Sequence, residues 1–175
     1  WSKSRLVLLW VAFTLIFAGM YYYSFDPKID QNGDNASYFI LGKALASGEG
    51  FTNIQSPTKS PHNHYPIGYP ALIAAVITVF GDDVLTVKLF TGCCFYGALL
   101  LLFVIARRFL HDWLAVMLVL FCLLNLHLLY YASMMMSEIP FLFCSLLSLW
   151  LALKADFDKP LRSNLLFGAL IISLV

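Results

Sequence analysis

LVLLWVAFTLIFAGMYYY, residues 6–23, is an apolar run without a single charge. A helix needs about 20 such residues to cross a bilayer. The run is longer than a signal peptide's apolar core, and no small-residue cleavage site follows it. It therefore predicts a retained span. Its closing Tyr21, Tyr22 and Tyr23 suit the aromatic belt at a membrane interface. Further apolar runs at 84–106, 113–131 and 138–153 predict three more spans, and another run starts near Leu165. The last run reaches Val175 after about 11 residues, short of the roughly 20 of a crossing. The chain also begins at Trp1 rather than Met. We therefore expect residues 1–175 to be the N-terminal transmembrane module of a longer polytopic protein.

Composition agrees. The chain is 61% hydrophobic and 12% charged, against about 25% charged in soluble domains. The expected fold class is all-α: a polytopic transmembrane helical bundle in the lipid bilayer, with one or two interfacial helices in an outer loop at 24–83. Net charge is +1, and no basic run or glycine-rich loop points to nucleic acid or nucleotide. Cys93, Cys94, Cys122 and Cys144 fall in apolar runs without metal-ligand spacing, and read as small buried hydrophobes.

The stretch from Ser24 to Tyr65 carries the turn chemistry of a folded loop: Asp26-Pro27, Asn32-Gly33, Ser47-Gly48, Ser56-Pro57 and Ser60-Pro61. Within it, 35–47 reads as a helix with Asp34 as N-cap and Gly48 as stop. Ala36, Phe39, Ile40 and Ala44 give it one apolar face. A second helix is expected from Tyr69-Pro70 to Phe80, ended by Gly81. It is too short to cross, so it reads as re-entrant or interfacial. Lys88, one turn into the second span, is expected to snorkel to the near surface. Asp112 and Ser137 read as N-caps of the third and fourth spans, with Pro140 in the fourth span's first turn.

Basic residues set the orientation. Lys3, Arg5, Arg107, Arg108, Lys154, Lys159 and Arg162 lie in short segments on one side. Lys28, Lys43 and Lys59 are spread over the long loop with Asp26, Asp30, Asp34, Glu49, Asp82 and Asp83. The positive-inside rule puts the N-terminus in the cytoplasm and the loop outside. A bacterial inner membrane is the expected location, with Asp34 and Glu138 at the same outer interface.

Those two acids are the candidate catalytic residues. Asp34, as an N-cap, serves a helix; as a positioned carboxylate it also suits a general base. Glu138 gains from the helix N-terminus beside it, yet an acid at membrane depth is a functional candidate by default. His62 and His64 form a His-x-His pair that suits a phosphate, a metal shared with Asp34, or plain solvation. Asn125 and His127, late in the third span, either line a cavity or bond between helices. Met134, Met135 and Met136 read as packing.

Gly33-Asp34-Asn35-Ala36-Ser37-Tyr38, then Tyr65-Pro66-Ile67-Gly68-Tyr69-Pro70, then Ser137-Glu138-Ile139-Pro140-Phe141 together resemble the N-terminal part of the GT-C glycosyltransferases. These use polyprenyl-phosphate sugars. The nearest branch holds the protein O-mannosyltransferases and lipid A aminoarabinose transferases. Asn35 stands where the family often has a second acid. The resemblance implies inverting transfer of a sugar from a polyprenyl-phosphate donor to a lipid, glycan or protein acceptor at the outer face. Asp34 would then be the base, and Glu138 would help orient substrate or shape the site. Tyr38, Lys59, His62, His64 and Tyr65 are the candidate substrate-binding residues. The residues fix no cofactor and leave a divalent metal open. The competing class is a non-enzymatic transporter, or a lipid-binding or scaffold fragment.

Overall fold

The computed structural model describes residues 3–29, 33–154, 165 and 168. The described chain forms seven helices: α1 (Lys3–Ser24), α2 (Asp34–Ala46), α3 (Gly68–Phe80), α4 (Val84–Ala106), α5 (Asp112–Leu123), α6 (Leu126–Ser133) and α7 (Glu138–Lys154). An isolated antiparallel bridge between Thr52 and Pro61 is the only strand-like pairing among the described residues. The expected all-α class holds.

Helix α4 is the spine. Its 23 residues begin where Asp83 accepts hydrogen bonds from the Leu85 and Thr86 amides, and end at Ala106 as the sequence predicts. At 1.5 Å per residue it is about 35 Å long. It carries both apolar cores. In the larger, Cys94, Phe95, Leu99 and Phe103 of α4 pack with Phe13 and Tyr21 of α1, Val119 and Leu123 of α5, and Leu129 of α6. In the smaller, Val87 of α4 packs with Tyr38 of α2, Tyr69, Ile73 and Val76 of α3, and Met135. The second core anchors the α2–α3 pair to one end of the bundle. The opposite end carries the arginines. There Arg107 pairs with Asp112 at 2.7 Å, and Arg108 donates to the Leu153 carbonyl at 3.0 Å.

Helices α1 and α4 are long and apolar enough to cross a bilayer. A third crossing arises if α5 and α6 count as one span, because they are bent by 58°. The sequence predicts one continuous helix over 113–131, and here the structure corrects it. Asn125 caps α6, its side chain accepting from the His127 and Leu128 amides at 3.0 and 3.4 Å. An Asn inside an apolar run competes with the helix by starting a new one. Asn125 Oδ1 thus bonds within α6 rather than between helices, and His127 is exposed. Likewise His111, not Asp112, is the N-cap of α5. Helix α7 sits where the fourth span is expected, with 17 residues described up to Lys154. Except for Leu165 and Gly168, the expected fifth run lies outside the described residues, as do Lys159 and Arg162.

Lys88 does not snorkel. It is 1% exposed, and its ammonium donates to the carbonyls of Asp26, at 2.5 Å, and Lys28. The Phe25 ring lies 5.9 Å from it. Burying an ammonium is costly unless its donors are met; here the chain leaving α1 folds over the ammonium and meets them. Tyr21 completes the pin, donating from its hydroxyl to the Lys88 carbonyl at 2.9 Å and reaching the Ala132 carbonyl at 3.4 Å. Gly92, one turn on, leaves room for the Tyr21 ring, which a Cβ there would strike. Of the cysteines, Cys94 is buried as expected, Cys122 and Cys144 are half-buried, and Cys93 is exposed.

Gly92→Leu should lower the thermal midpoint in detergent by the cost of overpacking, about 1–3 kcal/mol. Gly19→Ala, which meets no neighbour within 4 Å, should leave the midpoint unchanged or raise it. Equal midpoints for Gly92→Leu and the wild type would mean that α1 does not seat on α4 through Tyr21.

Candidate functional site

The loop end of the bundle gathers most of the sequence-predicted residues. Helix α2 begins one residue earlier than expected. Gly33 is its N-cap, in extended backbone (φ −98°, ψ 169°). Asp34 is therefore the first helical residue, and its carboxylate does not cap. A carboxylate there is still favoured by the helix dipole, and it projects outward, exposed. The buried face of α2 is also rotated from the one the sequence suggests. Asn35, Ala36, Tyr38, Leu41, Gly42 and Ala44 are buried, while Phe39 and Ile40 are half-buried. The rotation follows from α3. A Cβ on Gly42 would strike Ile73, so glycine lets the two helices close on that side. Gly81, at φ +96°, then ends α3 as predicted.

Asp34 Oδ1 accepts a hydrogen bond from the Tyr65 hydroxyl at 2.6 Å, the short length of a charge-assisted bond. This bond, with burial second, raises the Tyr65 phenol above its ordinary pKa. Tyr65 is held from behind by a small hairpin. The His62 amide donates to the Phe51 carbonyl at 2.9 Å, and the Asn53 amide to the Ser60 carbonyl at 3.0 Å. His62 Nε2 accepts from the Tyr65 amide at 2.9 Å, and His62 Nδ1 meets Asn53 Oδ1 at 2.9 Å. The His62 and Tyr65 rings stack, with centroids 5.2 Å apart and planes at 13°. The His64 ring stands edge-on to Tyr65 at 4.7 Å.

Tyr38 links this group to the second acid. One turn along α2 from Asp34, its ring lies 4.8 Å from Tyr65 and 5.2 Å from Tyr69. Its hydroxyl is 3.3 Å from Ser137 Oγ. Ser137 immediately precedes Glu138, the first residue of α7. The Ser137 hydroxyl thus meets α2, while its carbonyl takes the Phe141 amide. Tyr69 bonds Thr91 of α4 at 3.0 Å. Burial is the main cause holding its phenol protonated, and the charge of Glu138 adds to it. The heads of α2 and α7 are bridged by one buried tyrosine, with both acids exposed beside it.

Lys59 is not brought to this group. It lies at the hairpin turn with φ +42°, its ammonium held by both oxygens of Glu49 at 3.0 Å. His62 has both ring nitrogens engaged within the hairpin. Of the three cationic candidates, His64 is exposed, its ring edge-on to those of His62 and Tyr65. Among the described residues no three His, Cys, Asp or Glu side chains gather as a metal-holding group, so a site shared by His62, His64 and Asp34 is not formed. Sequence reasoning missed Tyr69, Ser137 as a bonding side chain, and Lys88. The aromatic spacing Tyr65-x-x-x-Tyr69 was the available signal for the first.

The raised Tyr65 phenol fixes a sign. The Tyr65–Asp34 bond is fully present below the ordinary tyrosine value of about 10 and is lost as pH rises through the higher folded value. Ultraviolet difference titration against Tyr65→Phe should show Tyr65 ionising above that ordinary value. Asp34→Asn should bring it back down. A Tyr65 that titrates like a free phenol in the wild type would mean that the bond is not made.

Comparison of the chain with protein-family models, with curated proteins and with solved structures gave no match, so the reading of this site rests on its own geometry.

Proposed function

We propose that the chain acts in glycosyl transfer of the GT-C type, with Asp34 as general base at the outer face of a multi-pass membrane bundle. One observation carries the reading: an exposed carboxylate, fixed by a 2.6 Å bond to Tyr65 and bridged through Tyr38 to the head of the helix bearing Glu138. Tyr65 occupies Oδ1, which leaves Oδ2 for an acceptor hydroxyl. The acceptor oxygen forms a bond to the anomeric carbon, the carbon–oxygen bond to the lipid phosphate breaks, and Asp34 takes the hydroxyl proton. Such base catalysis is worth about 10²–10⁴-fold. The departing phosphate needs donors where its charge develops. With Lys59 and His62 engaged elsewhere, His64 is the described side chain best suited to it. Glu138, free on the other helix head, orients the acceptor.

The orientation belongs to this proposal. Arg107, Arg108 and Lys154 cluster at the end opposite Asp34, which the positive-inside rule assigns to the cytoplasm. A second reading, a non-enzymatic transporter or lipid-binding scaffold, draws on the 58° break between α5 and α6. Transporters often place substrate at broken helices. The break here carries Asn125 as a cap and, among the described residues, no Asp, Glu, Lys or Arg beside the exposed His127, which leaves the interfacial acids as the better chemical site.

Two measurements check this. In the full-length protein in vesicles, Asp34→Asn should cut transfer from a labelled polyprenyl-phosphate sugar by at least about 10²-fold with little loss of thermal stability. Glu138→Gln should cut it less. Wild-type turnover in Asp34→Asn would sink the base assignment. Separately, cysteines placed at Lys59 and Ser137 should react with an impermeant reagent from outside, and one at Arg108 only from inside. Labelling of position 59 from the cytoplasm would reverse the topology.

A further inference from the structure

The Tyr65–Asp34 pair is held through a bond that a proton can break. Besides its ring contacts and a side-chain hydrogen bond with Ser37, Tyr65 has two attachments. Its hydroxyl donates to Asp34, and its amide donates to His62 Nε2. An imidazole nitrogen accepts only when it carries no proton. Nε2 is therefore bare, and the ring proton sits on Nδ1, pointing at Asn53 Oδ1. The hairpin fixes this tautomer. The Thr52–Pro61 bridge and the His62 amide bond to Phe51 hold residue 62 in register, and the Phe51 ring lies edge-on to the imidazole at 5.3 Å.

We propose that His62 is a positioning residue and a pH-sensitive latch: only its neutral ring holds Tyr65 against Asp34. Protonated at Nε2, the ring turns from acceptor to donor and faces the Tyr65 amide donor head-on. Tyr65 then loses its rear anchor, and the phenol leaves Oδ1. The titratable and charged groups around the latch are few. His64 lies 6.5 Å away, ring to ring, and Tyr65 itself is stacked on the imidazole. Asp34 stands behind the Tyr65 hydroxyl, and the Glu49–Lys59 pair lies on the same hairpin. The site is therefore assembled while His62 is neutral and released once His62 takes a proton at Nε2.

This inference rests on the Asp34 reading only where activity is the readout. In the full-length protein in nanodiscs, ¹⁵N spectra should follow His62 Nε2, His64 and the Tyr65 amide from about pH 5 to 8. The Tyr65 amide resonance should move with protonation of His62 and not with that of His64. His62→Gln keeps an acceptor near the Nε2 position without titrating, so the Tyr65 amide should no longer respond to pH in that variant. Transfer activity in the wild type should fall about tenfold per pH unit on the acid limb, and this limb should flatten in His62→Gln. A Tyr65 amide that ignores His62 protonation, or an acid limb unchanged in His62→Gln, overturns the latch. Spectral coupling intact while the wild type transfers no sugar at any pH leaves the latch standing and overturns the transferase reading.

Discussion

The ammonium of Lys88 is the constraint on which the loop end depends. A charged side chain inside an apolar bundle must find partners or stay out. Lys88 finds them in the Asp26 and Lys28 carbonyls, so the chain leaving α1 turns back over α4 at once instead of wandering outward. Tyr21 ties the same turn of α4 to α6. With the start of the loop fixed, α2 and α3 pack as a pair against Val87 and Met135, and Asp34 comes to rest near the head of α7. The site is thus rooted in the spine helix although none of its acids lies on that helix.

The aromatic residues do a different kind of work. Tyr65, Tyr38 and Tyr69 run from the exposed Asp34 into the second core, from half-buried to fully buried. Each spends its hydroxyl on a different element: Asp34 on α2, Ser137 before α7, Thr91 on α4. A phenol places a polar tip at the end of a rigid apolar body. Three of them make a site that is polar where it meets water and closed where it meets the core. Phenylalanine at Tyr38 would keep the packing and lose the tie to α7.

Much of this was legible in the sequence, and the misses share a cause. The bounds of α4, the stops at Gly48 and Gly81 and the start of α3 near Pro70 follow from local chemistry, because capping and positive φ belong to single residues. Pairing Asp34 with Tyr65 does not, since 31 positions separate them and the hairpin between them is set by its own bonds. The break at Asn125 was missed because apolar content cannot tell one span from two helices meeting at an angle; the Asn was the only cue. Lys88 was misread for a related reason. Snorkelling is the default when water is the nearest polar partner, and nothing local reveals that a carbonyl pair from another segment is nearer.

The same logic explains why the candidate cations sorted as they did. Lys59, His62 and His64 look alike in sequence, all in one polar loop. In the fold, Lys59 is drawn to Glu49 across the hairpin, and His62 is consumed in making the hairpin's closing bonds. His64, two residues further on, has no such duty. A loop that holds an exposed acid in place still has to use some of its polar side chains for its own structure. What remains unspent is the better guide to what meets a ligand: the second oxygen of Asp34, the carboxylate of Glu138 and the ring of His64. All three are exposed at the loop end, around the tyrosine that joins α2 to α7.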